Sequence, residues 1–576
     1  MVKKLMACLG DAKRDAILSP VFVVGEVVME VLIPLLMADI IDNGVQMGDA
    51  ARLRSTGLWL VLATVASLVC GALAGHFSAH AAARFGRNLR RAQYSRVQQF
   101  SFANIDHFST SGLVTRMTTD VTNLQMAFMM VIRIAVRAPV MLLAALGMAF
   151  SINARLGLVY LACIPLLGGV LLLIASRAHP LFEKVFRTYD RLNQVVQENL
   201  RGIRVVKSFV RQDKEIEKFD GVSQKIYKLF SRAERLLAFN SPSMQLAMYT
   251  CMILISWLGA QMIVGGTFTT GKLMSMISYA MQILSSLMMI SMVFVMIIMS
   301  RASGERVAEV LDEESTITDP EHPVEKVADG SIVFEQVGFA YGSGPETLAD
   351  IDLYIPSGST VGIVGGTGSA KTSLVQLIPR LYDATRGRVL VGGVDVRRYG
   401  LHALRDQVAM VLQNNQLFAG TISENLRWGN ENATDEQLRE ACRMAQADEF
   451  IRQLPGGYES RIEQGGSNVS GGQKQRLCIA RALLKQPRIL ILDDSTSAVD
   501  TRTDALIREA MARYMPQTTK LIIAQRISSV EHADMILVMD GGRIAAKGTH
   551  EELLKSCPLY REVWQSQQKG DEEHEN

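Results

Sequence analysis

At 576 residues the chain is well past the roughly 250 to 300 residues at which a single hydrophobic core stops growing, so two large domains are expected. Hydrophobic residues make up 48% of it and mean hydropathy is +0.16, which argues against a wholly soluble protein. With 60 basic and 57 acidic side chains the net charge is only +3, so no strong field points to nucleic acid as a partner.

The N-terminus carries Lys3, Lys4, Asp11, Lys13, Arg14 and Asp15 ahead of the first apolar run, and no small-residue cleavage site follows it. No removed signal peptide is expected. Six stretches are long enough to span a bilayer: residues 16–41, 56–78, 129–152, 156–176, 243–265 and 274–299. Each is predicted helical, because lipid offers unpaired backbone groups no partner. The segment between the second and third spans carries Arg84, Arg87, Arg90, Arg91, Arg96 and Arg116. That between the fourth and fifth carries Arg177, Lys184, Arg187, Arg201, Arg204 and Lys207. The remaining connections are short and weakly charged. The positive-inside bias therefore places both long loops and both termini in the cytoplasm. Periodic apolar positions in those loops read as membrane helices continuing outward and reversing near 101–111 and 202–209.

Ionisable residues within spans each cost at least about 2.5 kcal/mol if they face lipid. Glu26 and Glu30 lie four apart in the first span, and Arg133 and Arg137 four apart in the third, so each pair shares a helix face. They read either as buried ion pairs, with arginines near the membrane edge snorkelling, or as the lining of a water-filled cavity that attracts cations. Methionines crowd the last span, where they suit either a cavity for varied apolar shapes or ordinary packing. The seven cysteines show no CxxC pair or metal-ligand spacing and read as packing residues, and the nine histidines form no cluster.

A polar linker over 312–330 leads into short β-branched strands alternating with helices, the pattern of a mostly parallel α/β sheet. A strand over 360–364 runs into Gly365, Gly366, Thr367, Gly368, Ser369, Ala370, Lys371 and Thr372, with a helix predicted over 373–381. Such a loop wraps phosphates with backbone N–H groups; Lys371 reaches the terminal phosphates and the Thr372 hydroxyl can hold Mg²⁺. Ala370 stands where the pattern has glycine, and a Cβ there strains or crowds the loop by about 1 kcal/mol. A second apolar strand over 488–492 ends in Asp493 and Asp494, the pattern of a Walker B strand ending in a Mg²⁺-directed carboxylate.

Between these lies Val469-Ser470-Gly471-Gly472-Gln473-Lys474-Gln475-Arg476, which is similar to the LSGGQ signature of ABC proteins. On these motifs the chain is identified as resembling an ABC exporter half-transporter over nearly its whole length. The resemblance implies that Tyr341 stacks on adenine and that Gly365 to Thr372 with Ser373 hold the phosphates. It implies that Gln413 is the Q-loop residue and that Ser497-Ala498-Val499-Asp500 is the D-loop. Thr372, Gln413 and Asp493 would attend Mg²⁺, and Ser470, Gly471, Gly472 and Gln473 would face an ATP held by a second chain. The implied fold is a multi-domain membrane protein. It has an all-α six-helix transmembrane domain over 1–310 with two long coupling loops, a linker over 311–330, and an α/β P-loop nucleotide-binding domain over 331–576.

Hydrolytically active sites of the family carry a glutamate and a histidine where this chain has Asp494 and Gln525. Aspartate is one methylene shorter, and a base misplaced by about 1 Å can cost about 100-fold. Gln525 can hydrogen-bond but carries neither proton nor charge. Drift at either position is the plain alternative; both together with Ala370 point to one impaired ATP site beside an intact signature. That asymmetry resembles the degenerate subunit of bacterial heterodimeric multidrug exporters. The expectation is an ATP-hydrolysing translocase of a bacterial inner membrane, using ATP and Mg²⁺, paired with a second half-transporter and exporting amphipathic or hydrophobic compounds. A lipid flippase, a homodimer, and a regulator using ATP only as a latch are the rivals.

Overall fold

The computed structural model describes residues 1–495 and 499–575, with the side chains of all but His179 and residues 569–575. The chain divides into two compact units, Met1–Gln98 with Thr110–Glu313, and Gln99–Ser109 with Glu314–Asn576.

The first unit is helical. Lys13–Asp39, Ala50–Val97, Val121–Ile152, Ala154–Arg201, Asn240–Val264 and Thr270–Asp312, here the first to sixth membrane helices, supply six segments long and apolar enough to cross a bilayer. Each short connection caps the helix that follows it. The Asp49 carboxylate accepts from the N–H groups of Ala51 and Arg52, Asn153 accepts from Arg155 and Leu156, and Thr269 accepts from Lys272. Asp42 also accepts from the Gly271 N–H at 2.8 Å and from the Thr269 hydroxyl, joining the first connection to the last. The short helix Ile203–Ser208 stands at the second expected reversal, and the short helix Phe102–His107 at the first, the latter belonging to the second unit. The sixth helix runs to Asp312 rather than 299, because Val307 is buried with Leu5, Phe85 and Val121.

The four ionisable residues do not form two pairs. Arg137 alone bridges both carboxylates, meeting Glu30 at 2.8 Å through both oxygens and donating to Glu26. Arg133 packs instead beside Gly75 of the second helix, where a Cβ would lie 3.7 Å from its guanidinium. One fork-shaped guanidinium can satisfy two carboxylates spaced one helical turn apart, which leaves the second arginine surplus.

The second unit is α/β. Its strands are β1 (Ile332–Ala340), β2 (Glu346–Ile355), β3 (Thr360–Gly365), β4 (Arg386–Val391), β5 (Val394–Asp395), β6 (Val408–Val411), β7 (Gly420–Thr421), β8 (Arg461–Ile462), β9 (Ile489–Asp493), β10 (Thr519–Ile523), β11 (Met535–Asp540) and β12 (Arg543–Gly548). A six-stranded sheet runs β12-β11-β3-β10-β9-β6, parallel except for the edge strand β12; β2-β1-β4-β5 form an antiparallel sheet, and β7 pairs with β8. Strand β9 is buried throughout and its side chains alternate between two cores. Ile489 and Ile491 join Leu521 and Ile523 on one face, while Leu490 and Leu492 join Ile479 and Ile522 on the other.

Candidate nucleotide site

The register of the parallel strands gathers residues far apart in sequence at one sheet edge. Ile523 lies opposite both Ile363 and Asp493, and Val411 lies opposite Leu492. Residues just beyond these ends, Gly365 to Thr372, Gln413, Asp494 and Gln525, therefore share the carboxyl edge, where open α/β sheets bind ligands.

The loop after β3 is tightly held. A Cβ on Gly365 would meet the Met539 carbonyl at 2.2 Å, so no larger residue fits there. The Lys371 ammonium donates to the carbonyls of Gly365 and Gly366, each at 2.8 Å, and to Ser369 Oγ at 3.3 Å. Burial lowers its pKa, with Asp493 and Asp494 opposing. Ala370 has φ 69°, the left-handed conformation that glycine adopts freely, so the strain expected of a Cβ here is present. The helix after the loop, Lys371–Gln376, is shorter than its sequence suggests; the chain turns at once, with Arg380 also left-handed at φ 52°.

Asp493 is buried, and its Oδ1 accepts from the Thr372 hydroxyl at 3.1 Å. Its Oδ2 is buried with no hydrogen-bond partner among the described residues. Burial raises its pKa, Asp494 adds to that, and the Thr372 bond counteracts it. An orphaned carboxylate oxygen beside a hydroxyl fits a hard divalent cation, whose remaining ligands would be phosphate and water. No cluster of three or more acidic, His or Cys side chains able to hold a metal occurs among the described residues.

Asp494 and Gln525 meet. The Gln525 amide donates to Asp494 Oδ2 at 2.6 Å, and Gln413 Nε2 lies 3.5 Å from the same oxygen. Asp494 is itself left-handed, at φ 49°, a conformation that aspartate tolerates better than most residues. Both positions that depart from the active pattern are thus tied into one contact.

Tyr341 is partly exposed, and its hydroxyl is 2.9 Å from Ser373 Oγ and 3.3 Å from Gln376. Its ring stands edge-on to Phe339 and Tyr382, with centroids 4.7 and 5.2 Å apart. Tyr382 was not singled out by sequence. It is buried, donates to Asp106 at 2.6 Å and packs edge-on against Phe102 of the helix Phe102–His107. Burial and the Asp106 carboxylate both raise its pKa.

Ser470 caps the helix Gly471–Leu484 reciprocally: its hydroxyl accepts from the Gln473 N–H at 3.3 Å, and its own N–H donates to Gln473 Oε1 at 2.9 Å. Arg476 anchors that helix by donating to the Gln446 carbonyl and lying over the Phe450 ring. The described hydrogen bonds of the loop 365–372 do not reach Ser470 to Gln473. In the D-loop, Ser497 and Ala498 lie outside the described residues, and Asp500 caps the helix Thr501–Tyr514.

Residues 16–304 match the ABC transporter transmembrane region and residues 348–497 the ABC transporter family. The chain is 36% identical over 573 residues to an uncharacterized ABC transporter ATP-binding protein, YfiB, of Bacillus subtilis, with 98% of each chain covered. It is 35% identical over 475 residues to a fatty acid ABC transporter ATP-binding/permease protein of Mycobacterium bovis, covering 82% of this chain and 75% of that one. Among solved structures it resembles a bacterial Atm1-family ABC exporter with ATP bound, with a TM-score of 0.84 and 25% identity, over 96% of this chain and 99% of the other. The chain belongs to the ABC transporter family. It is a multi-pass half-transporter of the exporter type that binds ATP and hydrolyses it to drive transport.

Proposed function

We propose that this chain is the degenerate-site half of a heterodimeric exporter of amphipathic or hydrophobic compounds in a bacterial inner membrane, with its nucleotide-binding domain and termini cytoplasmic. The observation that carries this reading is the 2.6 Å contact between Gln525 and Asp494. An amide there cannot carry charge to a γ-phosphate, and it engages the short carboxylate that would otherwise polarise water. The signature Ser470 to Gln473 has none of these departures and serves the ATP held by the partner chain. Lys371, Thr372, Gln413 and Asp493 retain Mg²⁺ and nucleotide at the slow site. Bound ATP then holds the two cassettes together between turnovers. The basic loops near Arg84 to Arg116 and Arg177 to Lys207 support the orientation.

The test compares ATPase of the purified single chain with that of the chain and its partner half-transporter in the same detergent. The expected turnover of the single chain is at least about 100-fold lower. Comparable rates would sink the heterodimer reading.

A further inference from the structure

The C-terminal helix of the second unit brings one face to the loop that carries Gln525. It runs over Pro558–Glu575, and Tyr560, Trp564 and Gln567 recur on one side of it at helical spacing. Tyr560 is 1% exposed, with its hydroxyl 2.8 Å from His550 Nδ1, and Trp564 packs against the core that contains Ile479, Ile522 and Ile527. Two aromatic anchors therefore fix the helix within one turn of Gln567.

Gln567 grips the backbone of the loop after β10 at two points. Its Nε2 donates to the Gln525 carbonyl and its Oε1 accepts from the Ile527 N–H, each at 2.8 Å. A side-chain amide carries a donor end and an acceptor end, so this pairing uses both and fixes which way the amide faces. The described residues offer those two backbone groups no other partner, and Ile527 is itself buried. Without Gln567, a donor beside the core goes unmet or the loop shifts to reach water.

The other ties of this loop are longer. The Ala524 N–H donates to the Ile363 carbonyl at 3.2 Å, and Arg526 reaches the Thr501 hydroxyl at 3.3 Å. Gln525 is exposed, and its side chain makes the 2.6 Å bond to Asp494. Where that side chain points depends on the backbone that carries it, and the carbonyl of that same residue is the one Gln567 holds.

We propose that Gln567 is a positioning residue for the ATP site: from the C-terminal helix it holds the loop after β10 so that the Gln525 amide faces Asp494 and bound nucleotide. This rests on the reading of Gln525 as a residue of that site, not on the site being slow. The last helix of the chain thereby acts as a strap on nucleotide retention.

The test measures dissociation of a fluorescent, non-hydrolysable ATP analogue with Mg²⁺ from the full chain in detergent. Wild type is compared with Gln567→Leu, Gln525→Ala and the double variant. Gln567→Leu should speed release by about threefold or more, the scale of one or two lost hydrogen bonds. In the Gln525→Ala background the same substitution should add less than about 1.5-fold, because the group it positions is gone. Gln567→Glu keeps the acceptor for Ile527 but offers the Gln525 carbonyl no donor, so its release rate should fall between those of wild type and Gln567→Leu. An unchanged rate in Gln567→Leu overturns the proposal. Equal speeding in both backgrounds reduces Gln567 to packing of the C-terminal helix and overturns it too. If Gln567→Leu fails to fold, Gln567→Glu in the two backgrounds decides by the same comparison. Because the analogue is not hydrolysed, additive rates here leave the asymmetric-site reading standing, and comparable ATPase of the single chain and the pair leaves this one standing.

Discussion

The two functional elements of the second unit are built to opposite standards. The signature helix begins on Ser470 and Gln473 capping each other, a pairing in which sequence preference and backbone geometry agree. The phosphate loop and the end of β9 instead hold two residues with side chains, Ala370 and Asp494, at φ 69° and 49°. Each such conformation costs on the order of 1 kcal/mol, and none of that cost is needed to form the sheet. The signature helix therefore starts on a regular capping box, while the phosphate loop and the end of β9 carry two strained residues. A chain relieved of hydrolysis at its own site, yet required to complete its partner's, would show that division.

The sharpest way to break this comparison is to damage each element in turn with a wild-type partner. Gly471→Arg puts a long cation at the first position of the signature helix, where the close approach to the partner-bound γ-phosphate is lost. ATPase and transport should fall by at least about 100-fold. Asp494→Ala should change turnover by less than about threefold, since removing a base that already sits out of place sacrifices little. If the two substitutions silence the complex equally, this chain houses a working catalytic site.

The reverse experiment restores the missing groups. Asp494→Glu together with Gln525→His replaces the contact at 2.6 Å with a longer carboxylate and an imidazole, and should raise the ATPase of the single chain by about tenfold or more. An unchanged rate would locate the defect in the left-handed backbone at Asp494, where glutamate is less at ease than aspartate.

Much of this site was legible because its parts are local in sequence. The glycine-rich loop, the apolar strand ending in two aspartates and the signature each carry their chemistry within about eight residues. What escaped depends on distant pairings. Tyr382, which braces Tyr341 while bonded to Asp106, is 276 residues from that partner and has no motif of its own. The arrangement of Glu26, Glu30 and Arg137 needed the first and third membrane helices in register, and spacing alone left buried pairs and a cavity lining both open where the fold makes one triad. The helix after the phosphate loop gives way beyond Gln376 to tighter turns, Ile378 bonding Val375 and Arg380 bonding Leu377, which its apolar run does not mark.

A smaller effect is expected at the metal. Asp493→Asn keeps the shape of the side chain but removes the charge opposite Thr372, so Mg²⁺-dependent retention of a labelled ATP analogue should fall, roughly tenfold, while metal-free labelling persists. The pH dependence has a definite sign. Burial raises the Asp493 pKa, so protonation competes with Mg²⁺ at higher pH than for an ordinary carboxylate near about 3.9. Retention should therefore be lost as pH falls, beginning above that value, and Asp493→Asn should flatten the profile. A wild-type profile already flat down to the ordinary carboxylate range would place the metal elsewhere.

The smallest change bears on whether the phosphate loop is impaired in binding or only in chemistry. Ala370 occupies a left-handed position with a Cβ, and that Cβ is not idle: the side chain packs against the core that contains Ile363, Leu374 and Ile523. Ala370→Gly removes the conformational cost, about 1 kcal/mol, but gives up a methyl contact and lets the unfolded chain roam more widely. The terms oppose each other, so the net gain should be under about fivefold in ATP affinity, read by titration of a fluorescent analogue at saturating Mg²⁺. ATPase of the single chain should stay low, because Asp494 and Gln525 are untouched. If Ala370→Gly alone brings the single chain to transporter-like turnover, the loop and not the carboxylate–amide contact is the seat of the impairment, and the two halves of the site differ in one residue instead of three.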